Sequence, residues 1–268
     1  DGVVADVEGV APVESYHIVT SVAGHKGVAG PAVYTVTAAT PPVSRYDAVL
    51  FDLDNTICRS LQSGDALYAA AFEHAGVRPF GEASALWSVL DGDPDPDPEA
   101  AESSLADGFA ALAATHGRED APVRELARGL LAAVDHSRVA FRPGAEAALE
   151  LARRNGETAL VTNGPERRQA VKLSALGIAE AFDAVVYAGD LPNRKPHSDP
   201  FDRAFEALEA ERERTVHVGD SLEYDVAGAI NAGLDVAWCP TAEGADPGDY
   251  RPTHVLRSLR HLRDVIDG

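Results

Sequence analysis

Residues 49–56 read Val-Leu-Phe-Asp-Leu-Asp-Asn-Thr. The apolar run Val49-Leu50-Phe51 is short, as a strand buried on both faces of a parallel sheet should be. It ends in two aspartates one residue apart, Asp52 and Asp54. Carboxylates at the carboxyl end of such a strand lie at the mouth of the sheet, where open α/β folds bind ligands. One carboxylate can attack, and the other can carry a proton or help to place a metal. A strand end followed by an Asp/Asn turn explains the same residues, and the octet alone does not choose between the two.

The segments that follow make the strand one of a series. After Phe141 the pattern alternates: helix over 144–155, strand over 159–161, helix over 165–176, strand over 184–187, helix from Asp199-Pro200, strand over 216–218, helix over 222–232 and strand over 235–238. Residues 253–256 precede a last helix that carries Leu259, Leu262 and Ile266. Gly156 and Gly177 read as helix stops, and Pro165 as a helix start. Alternation of this kind predicts a doubly wound, Rossmann-like α/β sheet, parallel, with helices on both faces. Residues 57–140 interrupt it just after the first strand and are mostly helical in character, with helices predicted from Ala66 to near Gly76, over 107–116 and over 123–134. They read as an inserted cap. The expected domains are therefore a core of 43–60 plus 141–268 and a helical cap of 61–140, with 1–42 a hairpin or disordered extension whose candidate strands are 16–22 and 32–37. Within the cap, Asp91-Gly92-Asp93-Pro94-Asp95-Pro96-Asp97-Pro98 reads as a solvated turn. Its prolines disfavour helix and central strand, and its spacing matches no calcium loop.

Composition excludes several partners. The formal charge of −20 comes from 43 acidic and 23 basic residues, and a surface so acidic repels nucleic acid and anionic membranes. A phosphorylated substrate would need a cation or a local basic group. Only three lysines occur, Lys26, Lys172 and Lys195. Many acids, few lysines and an alanine-rich core resemble the proteins of salt-loving archaea, whose self-repulsion is screened at high salt. Two cysteines, Cys58 and Cys239, do not make a disulfide framework. No apolar stretch has the length of a membrane span, and the first residues lack a secretion-signal pattern, so a cytoplasmic location is expected. The chain has no methionine, and residues 1–42 carry little weight in the functional reading.

Three more strand ends or loops carry polar residues. Thr162-Asn163-Gly164 places a hydroxyl, an amide and a glycine where strand becomes helix, suited to an oxyanion but equally to a helix cap. Lys195, before the helix opened by Asp199, can neutralise phosphoryl charge or be a solvated loop lysine. Gly219-Asp220-Ser221 ends a strand, and Asp225 follows. An extra carboxylate beside Asp52 and Asp54 needs a cation, or repulsion raises a pKa, and Mg²⁺ suits an all-oxygen site.

Together, in this order, the motifs resemble the haloacid dehalogenase superfamily of hydrolases over about residues 45–268. The resemblance implies Asp52 as the nucleophile that forms an aspartyl-phosphate. It implies Asp54 as the group that protonates the leaving oxygen and then activates water, its backbone carbonyl a Mg²⁺ ligand. Thr162 and Asn163 would bind phosphoryl oxygens, Lys195 would stabilise charge, Asp220 would complete the metal site with Asp52, and Asp225 would orient Lys195 or a metal-bound water. True dehalogenases lack the second acid of the first motif, so Asp54 favours a phosphatase. The helical cap is similar to that of phosphoglycolate phosphatases and nucleotidases. The expected protein is a Mg²⁺-dependent phosphomonoester hydrolase of a small phosphorylated metabolite, a monomer or small homo-oligomer. A phosphomutase, a 2-haloacid dehalogenase and a non-catalytic phosphate-binding module are the alternatives. Arg59, His74 and His116 are candidate substrate contacts, but a surface or core role fits each of them better.

Overall fold

The computed structural model describes residues 44–90 and 95–268. The predicted N-terminal hairpin and the first half of the Asp-Pro segment lie outside these residues. In chain order the elements begin with β1 (Ala48–Phe51), β2 (Cys58–Ser60), α1 (Gly64–Ala75), α2 (Ala83–Val89), α3 (Pro98–Thr115), α4 (Val123–Ala133) and β3 (Val139–Phe141). There follow α5 (Ala145–Asn155), β4 (Glu157–Thr162), α6 (Glu166–Leu176), β5 (Ala184–Tyr187), α7 (Asp199–Phe205), β6 (Thr215–Gly219), α8 (Ala227–Asn231), β7 (Asp235–Trp238), β8 (His254–Val255) and α9 (Leu262–Ile266).

Six strands form one sheet in the order β5-β4-β1-β6-β7-β8, and every pairing in it is parallel. Strand side chains alternate between faces, and β1 shows this directly. Val49 and Phe51 pack into an apolar cluster with Leu149 of α5, Leu173 of α6 and Ile266 of α9. Ala48 and Leu50 face the opposite way, onto Phe201 and Ala204 of α7 and Ala229 of α8. The fold is thus a Rossmann-like sheet with helices on both faces. Leu50 and Phe51 are fully buried, each contributing roughly 1.5–3 kcal/mol. The central place of β1 matters for function, because Asp52, Thr162–Asn163 and Asp220 leave three adjacent strands, β1, β4 and β6, at the same edge.

Helices α1–α4 enclose an apolar cluster of their own, built on Tyr68, Phe72, Phe80, Leu86, Phe109 and Leu126. Three short elements here were not legible in sequence. Helix α2 is seven residues long and buries only Ala83 and Leu86, too little for a periodic signal. Strands β2 and β3 pair antiparallel, Cys58 opposite Phe141, and tie the two ends of the inserted segment together. Part of the Asp-Pro expectation also needs correction. Pro98 opens α3, with Asp97 Oδ1 capping Glu99 N and Ala100 N at 2.9 Å. A proline in the first turn loses no helical hydrogen bond. Residues 222–226 form a π-helical turn that leads into the short α8, where one regular helix was expected.

Gly156 stops α5 for a reason other than a left-handed cap. Its φ of 173° is extended, but a Cβ there would lie 1.9 Å from the carbonyl oxygen of Asp47. The chain crosses here at backbone contact, where Glu157 N bonds Asp47 O at 2.9 Å. Gly156→Ala should lower stability by about 1–3 kcal/mol through overpacking. Denaturant unfolding would check this, and a wild-type midpoint would remove the argument.

Candidate active site

The turn after β1 is built to present its two carboxylates. Asn55 takes a left-handed φ of 59°, which asparagine tolerates better than most residues. The turn closes through Ile57 N and Cys58 N, both bonded to Leu53 O at 3.0 Å. The Arg142 guanidinium clamps it from outside by donating to the Asn55 carbonyl, and also reaches Pro240 O at 3.1 Å.

Lys195 is the hub beneath the turn. Its Nζ lies 2.8 Å from Asp52 Oδ1, 2.7 Å from Asp225 Oδ1 and 2.8 Å from the Val161 carbonyl. All three donors of a buried ammonium are thus satisfied. Burial opposes its charge, but Asp225 and Asp52 outweigh burial and raise its pKa. Asp225 is held below the usual carboxylate range: burial works against it, while Lys195 and His217 overcome burial. Burial keeps His217 low, so its neutral ring donates from Nε2 to Asp225 Oδ1 at 3.0 Å. Gly219 makes room for this, since a Cβ there would sit 2.2 Å from Asp225 Cγ. Asn163 grips the lysine's backbone, donating to Lys195 O at 3.1 Å and accepting from Lys195 N at 2.9 Å. Its carboxamide therefore holds Lys195 in place, a task the sequence did not show.

Carboxylate oxygens of Asp52, Asp220 and Asp225 lie within 4.8 Å of one another. Burial, then Asp225 and Asp220, push Asp52 well above the carboxylate range against the pull of Lys195. Asp220 is pushed up to about 7, by burial first and by Asp225 second. Thr56 Oγ1 donates to Asp220 Oδ1 at 3.2 Å, and Trp238 Nε1 holds the Asp220 carbonyl at 2.7 Å. An oxygen-only donor set with excess negative charge fits a hard dication such as Mg²⁺. Asp52 and Asp220 are the better placed pair, because both Asp225 oxygens already bond Lys195, His217 and the backbone N–H of Ser221.

Asp54 turns the other way. Lys172 Nζ meets its two carboxylate oxygens at 2.7 and 2.6 Å, and Gln169 Nε2 meets Oδ2 at 2.9 Å. Gln169 Nε2 also reaches Thr162 Oγ1 at 2.7 Å. Gln169 and Lys172 were missed in the sequence. They stand three apart on α6, so they share a face, and the scarcity of lysine was the one signal that pointed to Lys172. Asp54, Lys172, Gln169 and Thr162 line a cavity of about 330 Å³ with Asp52, Lys195, Asp220 and Asp225, and with His136, Arg168 and Tyr224. Arg59, His74 and His116 line neither this cavity nor the larger one among α1–α4, which shares His136 and Arg168 with it.

Residues 46–233 match the family described as haloacid dehalogenase-like hydrolase. The chain belongs to this family. As a haloacid dehalogenase-like hydrolase it is similar to phosphoglycolate phosphatase of Cereibacter sphaeroides, 33% identical over 80% of this chain and 98% of that protein. It is 34% identical to pyrimidine 5′-nucleotidase YjjG of Escherichia coli over 46% of this chain. The chain spans 56% of that nucleotidase and 47% of the pyrophosphatase PpaX of Halalkalibacterium halodurans, about half of each. The magnesium-bound hydrolase YfnB of Bacillus subtilis superposes with a TM-score of 0.63 at 25% identity, over 82% of this chain and 98% of that one. The hydrolase is phosphatase-like in its relatives. Among its described residues, no helix is long and apolar enough to cross a membrane.

Proposed function

We propose that the protein is a Mg²⁺-dependent phosphomonoester hydrolase that acts on a small phosphorylated metabolite through an aspartyl-phosphate on Asp52. The observation that carries this reading is one cavity holding Asp52 against Lys195 at 2.8 Å and a second acid, Asp54, on an independent set of partners. In the first half-reaction an Asp52 oxygen attacks phosphorus, the bond to the leaving oxygen breaks, and Asp54 gives that oxygen a proton. In the second, water attacks phosphorus, Asp54 takes the water's proton, and the Asp52–phosphorus bond breaks to release phosphate. Lys195 neutralises charge on Asp52 and the phosphoryl oxygens, and Thr162 donates to one of those oxygens. Mg²⁺, held by Asp52, Asp220 and the Asp54 carbonyl, would supply the charge that draws a phosphate dianion into an acidic site. Residues 61–140 would act as the cap over this site.

The test is phosphate release from a panel of phosphomonoesters, with and without Mg²⁺, from low to molar salt. Turnover of at least one substrate, lost on chelation and strongest at high salt, is expected. No turnover at any salt would overturn the reading.

The raised Asp220 gives a second check. A carboxyl whose folded pKa lies above its unfolded value loses stability as it ionises, here as pH rises from about 4 through about 7. A bound dication removes that loss. The rise in Tm on adding Mg²⁺ should therefore be larger at pH 8 than at pH 5, and Asp220→Asn should flatten the difference. Equal shifts at both pH values would argue against Asp220 as a ligand.

A further inference from the structure

Gln169 is 1% exposed on α6, and its carboxamide is held in an arrangement that packing does not require. An amide nitrogen donates two hydrogens and accepts none. Nε2 uses both, one on Asp54 Oδ2 at 2.9 Å and one on Thr162 Oγ1 at 2.7 Å. A carboxylate only accepts, so Asp54 fixes which end of the amide faces it. The other end, Oε1, is left buried with no hydrogen-bond partner among the described residues. Buried acceptors without partners are rare in folded proteins because their desolvation is not compensated. A leucine of similar size would fill the space without that penalty. Gly164 is shaped to the same end: a Cβ there would lie 2.3 Å from Gln169 Nε2 and 2.5 Å from its Cδ.

We infer that Gln169 is a positioning residue for phosphoryl transfer, locking the proton carrier Asp54 to the phosphoryl anchor Thr162 and setting the Thr162 hydroxyl as a donor. This rests on the phosphatase reading above. Because Thr162 Oγ1 accepts from Gln169, its own hydrogen points to a different acceptor, and a substrate phosphoryl oxygen in the cavity meets that need. Asp54 is 44% exposed in its side chain, so without restraint it would sample several rotamers. Lys172 holds both of its oxygens by charge, and Gln169 sets which way one of them faces. The two groups that must act on one phosphoryl ester, one at the leaving oxygen and one at a non-bridging oxygen, are thereby kept in register through a single planar amide.

Gln169→Leu separates this role from a structural one. The variant should keep the wild-type Tm or exceed it, since it removes an unpartnered buried acceptor. Its kcat on an alkyl phosphate should fall about 100-fold, the scale of loss for misplaced reacting groups, with KM little changed. The kcat on p-nitrophenyl phosphate should fall less, because that leaving group needs less help from a proton donor. Gly164→Ala displaces the carboxamide while keeping every polar group, and it should show the same substrate-dependent loss. Wild-type kcat in Gln169→Leu would overturn the inference, as would a loss of Tm with equal loss on both substrates. An inactive wild-type protein would sink the phosphatase reading and this inference with it, whereas an active wild type matched by Gln169→Leu would sink the inference alone.

Discussion

Asp52→Asn is expected to reduce phosphate release by on the order of 10⁵-fold, the scale seen when a covalent nucleophile is removed. The fold should survive. Asparagine keeps the shape of the side chain, and its Oδ1 can still accept from Lys195 Nζ, which also keeps Asp225 and the Val161 carbonyl. Replacing a carboxylate that burial pushes well above its usual range also removes a charge the folded state holds with difficulty. Tm should therefore hold or rise while turnover vanishes. A phosphate-trapping assay run on protein quenched in acid would complete the picture: the wild type should carry an acid-stable acyl-phosphate and the variant none. Residual turnover above a few per cent of wild type would place the nucleophile elsewhere.

What could be read in the sequence follows from where the physics is local. Strand β1 was legible from its run Val49–Phe51 because Ala48–Phe51 is continuously apolar and ends abruptly in aspartate, as a strand covered on both faces must. Strands β5 and β7 match their expected bounds, 184–187 and 235–238. Asp52, Thr162, Lys195 and Asp220 could be singled out because each sits at or just past a strand end or in a loop, and Asp225 because it follows Asp220 at motif spacing; the structure gathers all five into one cavity. Gln169 and Lys172 could not, because they lie inside a helix where Gln and Lys are ordinary surface residues. That face turns inward because Leu173 anchors α6 in the core while Gln169 and Lys172 meet Asp54. His217 was hidden differently: inside a buried strand it looks like a polar interruption, and its bond to Asp225 depends on the π-turn at 222–226. Helix α2 and the β2–β3 pair were hidden because neither is long enough to show a period.

Lys195→Met should be the most damaging single change, because it removes the charge that offsets two buried carboxylates. Lys195 and Asp225 side chains are 1% and 2% exposed, and that of Asp52 is 10% exposed. Breaking a buried pair of this kind costs about 3–5 kcal/mol, since it leaves an uncompensated charge. For a chain of this size that corresponds to a fall in Tm of roughly 10 °C. The loss should be visible across neutral pH. A lysine whose folded pKa is raised contributes stability that is complete below its unfolded value and fades only in alkali. A carboxyl whose folded pKa is depressed, as in Asp225, contributes stability above its unfolded value that is lost on acidification. Catalysis should fail as well, with phosphate release down by at least about 10³-fold, because among the described residues Lys195 supplies the ammonium that touches Asp52. The two losses can be separated. Adding Asp225→Asn to Lys195→Met neutralises one stranded carboxylate, so stability should partly recover through the coupling expected of groups in direct contact, while turnover stays lost. If the double variant is instead no more stable than Lys195→Met, the 2.7 Å contact between Lys195 and Asp225 is not what holds this edge of the sheet together.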